Sequence, residues 1–302
     1  MMSSWIPLTQ RVISGITRRP HLFAFTRVEM GPHGNATPRR HAWQVRLGKV
    51  LGPRLFSLTY PHVPGRVHVH DTMLVSESLD HIRHYISVGT EAADWIEASL
   101  KATQRDWSHV TALLDMGSGF GRVLRQIAMR MDARRLTACD IDPEAVSFCR
   151  QEFGATPLVS AHDFTQIVFP AHYDVIWAGS LFTHLPPPQG RALLDLLAKC
   201  LLPGGLLLFS TQGESCLDHL HLYGPMFAGL EADFRRRVTA DGSAYEDYDP
   251  AQPGYGIAVY KADKLRTALT AADAAHAPLK FVSHAPRGWD NHQDLWAFQK
   301  SE

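Results

Sequence analysis

The stretch Leu113-Leu-Asp-Met-Gly-Ser-Gly-Phe-Gly-Arg122 places a carboxylate, Asp115, just ahead of three alternating glycines, Gly117, Gly119 and Gly121. Glycine lets the backbone take positive φ and lets a ligand approach the main chain closely. The apolar run before the turn reads as a strand and the pattern after it as a helix. A helix N-terminus presents free N–H groups and partial positive charge to whatever lies in the turn. A dinucleotide turn reads G-x-G-x-x-G, because a pyrophosphate must sit on the helix end. Here the spacing is G-x-G-x-G, one residue shorter.

The elements that must carry this turn alternate. Strands are expected at 111–116, 135–140, 156–160, 173–179 and 205–211, with helices near 120–131, 143–152 and 188–200 between them. Apolar positions Ile82, Tyr85, Ile86, Ala92, Trp95, Ile96 and Leu100 mark one or two helices before the turn. A helix near 261–275 and strands at 279–284 and 294–299 close the chain. Alternating β and α elements predict a parallel sheet with helices on both faces. Asp142-Pro-Glu144 opens a helix, with Asp142 as N-cap and Pro143 at the first helical position.

Taken together, the glycine turn, the strand ending at Asp140, the stretch Tyr173-Asp-Val-Ile-Trp-Ala-Gly-Ser-Leu-Phe-Thr-His-Leu185 and the Leu202-Pro-Gly-Gly205 turn resemble the class I S-adenosylmethionine-dependent methyltransferases. The resemblance covers roughly residues 80–300. The closing segment Gly288-Trp-Asp-Asn-His-Gln-Asp-Leu-Trp-Ala-Phe298 is similar to bacterial small-molecule and natural-product members. It implies an α/β, Rossmann-like, doubly wound sheet of seven mostly parallel strands with an antiparallel last strand. It implies S-adenosyl-L-methionine as cofactor, with the glycine turn around its adenosine and methionine parts. Asp140 would accept from both ribose hydroxyls, Ile141 would pack near the adenine, and Asp163 would meet the adenine amino group. Asp115 would hold the amino end. The same resemblance brings Ser118, Gly119, Gly121, Phe164, Gly179 and Ser180 into the cofactor set. Tyr85 stands where many class I enzymes cover the methionine end with an aromatic.

Methyl transfer is an in-line displacement, so positioning dominates. An alcohol or ammonium acceptor must also lose a proton, which calls for a base near neutral pKa. His184, a few residues beyond the fourth strand, is the first candidate and His292 the second; a thioether acceptor would need neither. An antiparallel last strand starts at the carboxyl ends of the parallel strands. That puts Arg287, Trp289, Asp290 and His292 on the rim where ligands bind, and the first three are expected to contact the acceptor.

The remaining sequence narrows the classes. Thirty basic and thirty acidic residues cancel, which leaves no footprint for nucleic acid. No apolar run reaches membrane-spanning length. Cys139, Cys149, Cys200 and Cys216 form no C-x-x-C pair and suit a reducing compartment. Residues 1–75 read as an irregular extension, with a short strand at Arg66–His70; the Arg-rich first 28 residues are closer to an ordinary cytoplasmic N-terminus than to a transit peptide. Residues 76–302 read as the methyltransferase domain, with 213–258 as an insertion or lid. His68 and His70, and His81 and His84, are paired by spacing, but no acidic or thiol companion has a recognised spacing, so no metal is expected. The expectation is transfer to a small polar metabolite through O, N or S, in the cytoplasm, with a homodimer allowed. A nicotinamide oxidoreductase would need the longer glycine spacing, and a non-catalytic cofactor-binding protein would lack an acceptor pocket.

Overall fold

The computed structural model describes residues 60, 62–75, 78–251, 253–271 and 279–301. Most of the expected N-terminal extension, residues 1–59, lies outside them. Helix α1 (Leu79–Ala102) is capped by the Ser78 hydroxyl and buries Ile82, Tyr85, Val88, Ala92, Ile96 and Leu100 along one face. Strands β1 (Leu113–Met116), β2 (Leu136–Asp140), β3 (Thr156–Val159), β4 (Tyr173–Ala178) and β5 (Leu201–Gln212) follow. Between them come α2 (Leu124–Ile127), α3 (Pro143–Phe153) and α4 (Pro187–Cys200). The chain ends with α5 (Glu231–Asp241), β6 (Ser243–Asp247), β7 (Gly256–Tyr260), α6 (Ala262–Thr270), β8 (Leu279–Trp289) and β9 (Gln293–Lys300).

The sheet runs β3-β2-β1-β4-β5 with every neighbour parallel. Strand β9 then lies antiparallel along β5, pairing residues 206–212 with 293–299, and β8 lies outside it. Those seven strands are the Rossmann-like, doubly wound arrangement expected, with an antiparallel last strand. The described sheet has nine strands. The other two are the β6–β7 hairpin, joined to β5 at Gln212↔Val259, beyond the carboxyl end of the central strands. The segment 213–258 looked irregular because its apolar residues are interspersed with Arg, His and Asp. Its described residues form a 3₁₀ segment Glu214–Phe227, α5 and the hairpin, packed around Leu220, Phe227, Phe234, Val238 and Ile257.

Alternation along β5 shows why the sheet is covered twice. Leu206 and Leu208 join the core under α1, α2 and β9, whereas Leu207 and Phe209 join the core under α4 and α6. Side chains one residue apart on a strand face opposite ways, so a continuous apolar run needs helices on both sides.

Two expectations need correction. The helix near 120–131 is only four residues long, Leu124–Ile127, because Gly119 and Gly121 hold positive φ and the chain turns through 121–123. No strand forms at 66–70. The segment is instead pinned by Arg125, which is fully buried and donates to the carbonyls of Pro64, Gly65 and Arg66. Arg66 adds a fork onto Glu152.

Candidate active site

A cleft of about 370 Å³ opens at the carboxyl ends of β1, β2 and β4. One wall is the glycine turn. Gly117 and Gly119 have φ of 79° and 49°, a region L side chains rarely adopt. A Cβ on Gly119 would meet no protein atom within 4 Å, so the turn leaves its open side free for a ligand. Gly121 serves the fold instead, since a Cβ there would stand 2.6 Å from Phe153.

Asp115 lies one residue before the end of β1 and is 2% exposed. Its Oδ2 is buried without a hydrogen-bond partner. Burial, reinforced by the negative charge of Asp140 and opposed by Arg122, pushes its pKa up to about 7. A desolvated carboxylate without a partner is costly, and a cationic ligand group in the cleft would relieve that cost. Asp140 ends β2. One of its oxygens accepts from the Gly119 amide at 2.8 Å and the other from the Asp142 amide at 3.0 Å. It thereby fixes the glycine turn, and each oxygen keeps a lone pair for a further donor. Asp142 accepts from the Glu144 amide at 2.8 Å as the N-cap of α3, with Pro143 following.

The opposite wall comes from distant segments. Gly179 permits a close crossing: a Cβ there would come within 2.7 Å of both Trp177 and Trp289. The two indoles meet edge to face at 5.3 Å, and Trp289 Nε1 donates to the Val88 carbonyl of α1. The Arg122 guanidinium lies 5.6 Å from the Trp289 ring centre. Ser180 has φ of 57°, and its amide donates to the Ser210 hydroxyl.

His184 also lines the cleft. Its Nδ1 lies 3.0 Å from the Gly256 carbonyl and 3.1 Å from the Tyr248 hydroxyl. A carbonyl only accepts, so Nδ1 carries the proton and Nε2 keeps its lone pair. Burial lowers the His184 pKa below the ordinary histidine value, and the Gly256 bond partly opposes this. The ring therefore stays neutral near pH 7. Tyr255 stacks on it at 4.9 Å and itself lines the cleft.

The structure brings Asp115, Gly117, Ser118, Gly119, Asp140, Gly179, Ser180, His184 and Trp289 to one cleft. Other expected residues lie elsewhere. Tyr85 is fully buried and donates to Asp71, which reaches the cleft in its place. Ile141 is 47% exposed and Phe164 packs against the core under α4, both outside the cleft lining. Asp163 caps a 3₁₀ turn through the Thr165 amide and hydroxyl. Arg287 and His292 line a neighbouring cavity of about 350 Å³ with Gln212, Cys216, Tyr223 and Asn291. His292 donates from Nδ1 to the Asp290 carbonyl, and Gln293 Nε2 stands 3.3 Å from its Nε2 and 3.0 Å from the Ser180 hydroxyl. Gln293 thus bridges the His292 ring of the cavity and the Ser180 hydroxyl of the cleft. Asp290 lies between His84 and His292, and its amide donates to Glu91.

Sequence reading missed Arg122, Tyr248, Tyr255 and the wall Asp71-Thr-Met73. Arg122 directly follows the glycine motif and was within reach of that reading. The two tyrosines had no signal, because only the hairpin brings them to His184.

Residues 113–205 match the family model of a methyltransferase domain. Among curated relatives, the ribosomal protein L11 methyltransferase of Thiobacillus denitrificans is 31% identical over 134 residues, covering 44% of this chain and 41% of that one. The spermidine synthase of Solanum lycopersicum is 26% identical over 156 residues, 47% of this chain and 45% of that one. The chain thus spans less than half the length of these relatives. Among solved structures, the N-methyltransferase NodS of Bradyrhizobium japonicum, in complex with S-adenosylhomocysteine, is 19% identical with a TM-score of 0.44, over 70% of this chain and 86% of that one.

Among the described residues no helix is long and apolar enough to cross a membrane.

Proposed function

We propose that the chain is an S-adenosylmethionine-dependent methyltransferase acting on a small-molecule acceptor. The observation that carries this reading is Asp115: a buried carboxylate oxygen without a partner, facing a cleft built around a glycine turn. The cofactor is cationic and supplies an activated methyl group on a sulfonium centre. Asp115 would hold its amino end, Gly117 and Gly119 would let it lie against the turn, and the free lone pairs of Asp140 would take the ribose hydroxyls. Trp177, Gly179 and Trp289 would bound the reacting end and exclude water.

For an acceptor that must lose a proton, Nε2 of His184 is the base. It belongs to a neutral ring whose other nitrogen is tied to the hairpin. His292 is placed less well, since its Nε2 faces Gln293. The neighbouring cavity gives the remainder of an acceptor room, with Arg287 at its edge and Asp290 holding the turn.

Calorimetric titration with S-adenosylmethionine, S-adenosylhomocysteine and NAD tests the cofactor. Saturable binding of the first two and none of NAD is expected. Tight NAD binding would instead favour an oxidoreductase. A screen of hydroxyl, amine and thiol acceptors, read as S-adenosylhomocysteine formed, tests catalysis. Binding without turnover across all classes would point to a non-catalytic binder.

A further inference from the structure

We propose that His68, His70 and Glu144 form a site for one divalent transition-metal ion of the zinc type, which latches the 62–75 segment onto the start of α3. Spacing offered the two histidines without a companion, and folding supplies one from 74 residues further along the chain. One donor atom from each of the three side chains lies within 4.8 Å of the others. Glu144 reaches both rings, with Oε2 at 2.7 Å from His70 Nδ1 and Oε1 at 3.8 Å from His68 Nε2.

Two imidazoles and a carboxylate are a donor set suited to zinc, cobalt and related ions, with a fourth position left to water. Donors around a tetrahedral ion with bonds of about 2.0–2.2 Å stand roughly 3.3 Å apart. Donors that lie within 4.8 Å of one another must therefore shift by at most roughly 1.5 Å. His70 and Glu144 are half-exposed and free to move that far, with side-chain exposures of 52% and 53%. The His68 ring is already oriented. It stacks on Phe120 at 4.4 Å with 3° between the planes, and Phe148 meets its edge at 4.9 Å. Its backbone neighbourhood is held by Arg125 and Arg66. An oriented ring loses less entropy when it becomes a ligand.

Two existing contacts must give way, the hydrogen bond between His70 Nδ1 and Glu144 Oε2 and one between the two histidines. The His70 amide donates to His68 Nδ1 at 3.2 Å. Coordination through Nε2 moves the ring proton onto Nδ1 and releases that amide. The consequence reaches the cleft, because Asp71, Thr72 and Met73 follow His70 directly and form part of its wall. A metal that fixes this wall and a ligand that binds against it would favour each other by the same factor.

The test uses the full chain, stripped with chelator and free of any cofactor, so its outcome does not depend on the methyl-transfer reading. Zinc titrated calorimetrically should bind with a stoichiometry of one, and cobalt should give the visible bands of a low-coordinate site. His70→Ala and Glu144→Gln should each weaken binding by about tenfold or more, with unchanged circular dichroism. His219→Ala, at an exposed histidine elsewhere, should leave binding as it was. In the parent, zinc should shift the His70 amide resonance. Absence of saturable binding overturns the proposal. So does binding that both cluster variants retain, which would place the ion among the other histidines.

Discussion

The two walls of the cleft are made differently. The wall that holds Asp115, the glycine turn, Asp140 and the α3 N-cap comes from residues 115–145, tied by short-range bonds from backbone amides to carboxylates, such as the Gly119 amide to Asp140 and the Glu144 amide to Asp142. The facing wall takes His184 from beyond β4, Tyr248 and Tyr255 from the β6–β7 hairpin, and Trp289 from the β8–β9 turn. Its bonds span tens of residues. The first wall is a fixed cradle with one unsatisfied charge. The second is an assembly whose chemistry depends on a hairpin outside the central seven strands. Cofactor binding should therefore answer to substitutions in the first wall, and turnover to substitutions in the second.

The largest effect is expected at His184. His184→Ala should lower turnover by about 10²–10⁴-fold and leave cofactor affinity within twofold of the parent. Only the neutral ring can accept a proton, and burial holds its pKa below the ordinary 6.5. Turnover in the parent should thus climb with pH on the acid side of 6.5 and be level by neutral pH. The variant should lack that limb, whereas His292→Ala should keep it. A limb that vanishes only in His292→Ala would move the base across Gln293 into the neighbouring cavity.

Next is Asp115→Asn, which should split binding from stability. Loss of a charge-assisted contact to the cofactor should weaken binding by roughly tenfold to a hundredfold. Stability of the cofactor-free protein should move the other way. The folded pKa of about 7 stands above the unfolded carboxylate value, so the native state keeps a proton that the unfolded chain releases. The stability this proton contributes is complete below about pH 4 and is lost as pH rises through about 7. The difference amounts to ~4 kcal/mol when the group is fully ionised. Melting curves of the parent should therefore fall between pH 5 and pH 8 more steeply than those of Asp115→Asn. Equal slopes with equal affinity would remove Asp115 from the site.

The contrast between walls also explains what the sequence discloses. Strand ends and the glycine turn are local features: Asp115 and Asp140 each close an apolar run, so the first wall is readable from spacing. Asp142 was readable as a cap for the same reason, through Pro143 and Glu144. Tyr248 and Tyr255 have no such signature, since their position depends on which strand the hairpin joins. The family resemblance implies Tyr85 as an aromatic over the methionine end, whereas its helical spacing suits the core equally. Packing buries it completely and sends its hydroxyl to Asp71. Glu144 belongs with these. It looked like a second acid in a helix start, and only folding sets it against His68 and His70.

A smaller effect is expected at the hairpin. Tyr248→Phe removes one of two oxygens near His184 Nδ1, while the Gly256 carbonyl remains. Turnover should fall by about twofold to tenfold, the worth of one hydrogen bond, with cofactor affinity unchanged. Nitrogen chemical shifts of His184 report the tautomer directly and should still show the proton on Nδ1. A tautomer switch in the variant would make the tyrosine, and not the carbonyl, the group that sets it.

The smallest effect on binding is expected at Asp163. Its carboxylate is engaged by the Thr165 amide at 3.0 Å, the Thr165 hydroxyl at 2.6 Å and Gln166 Nε2 at 3.2 Å, and these bonds hold its pKa below the usual carboxylate range. It stands outside the cleft lining, with its oxygens already satisfied. Asp163→Ala should lower the melting temperature slightly and change S-adenosylhomocysteine affinity by less than twofold. Asp140→Ala, by contrast, removes both the acceptor for the Gly119 amide and the lone pairs offered to a ribose, so it should weaken binding by about tenfold or more. A comparable loss in Asp163→Ala would mean that the 3₁₀ turn carries the adenine contact after all. The first wall would then extend past β3, and the cradle would be larger than the ligand-free cleft.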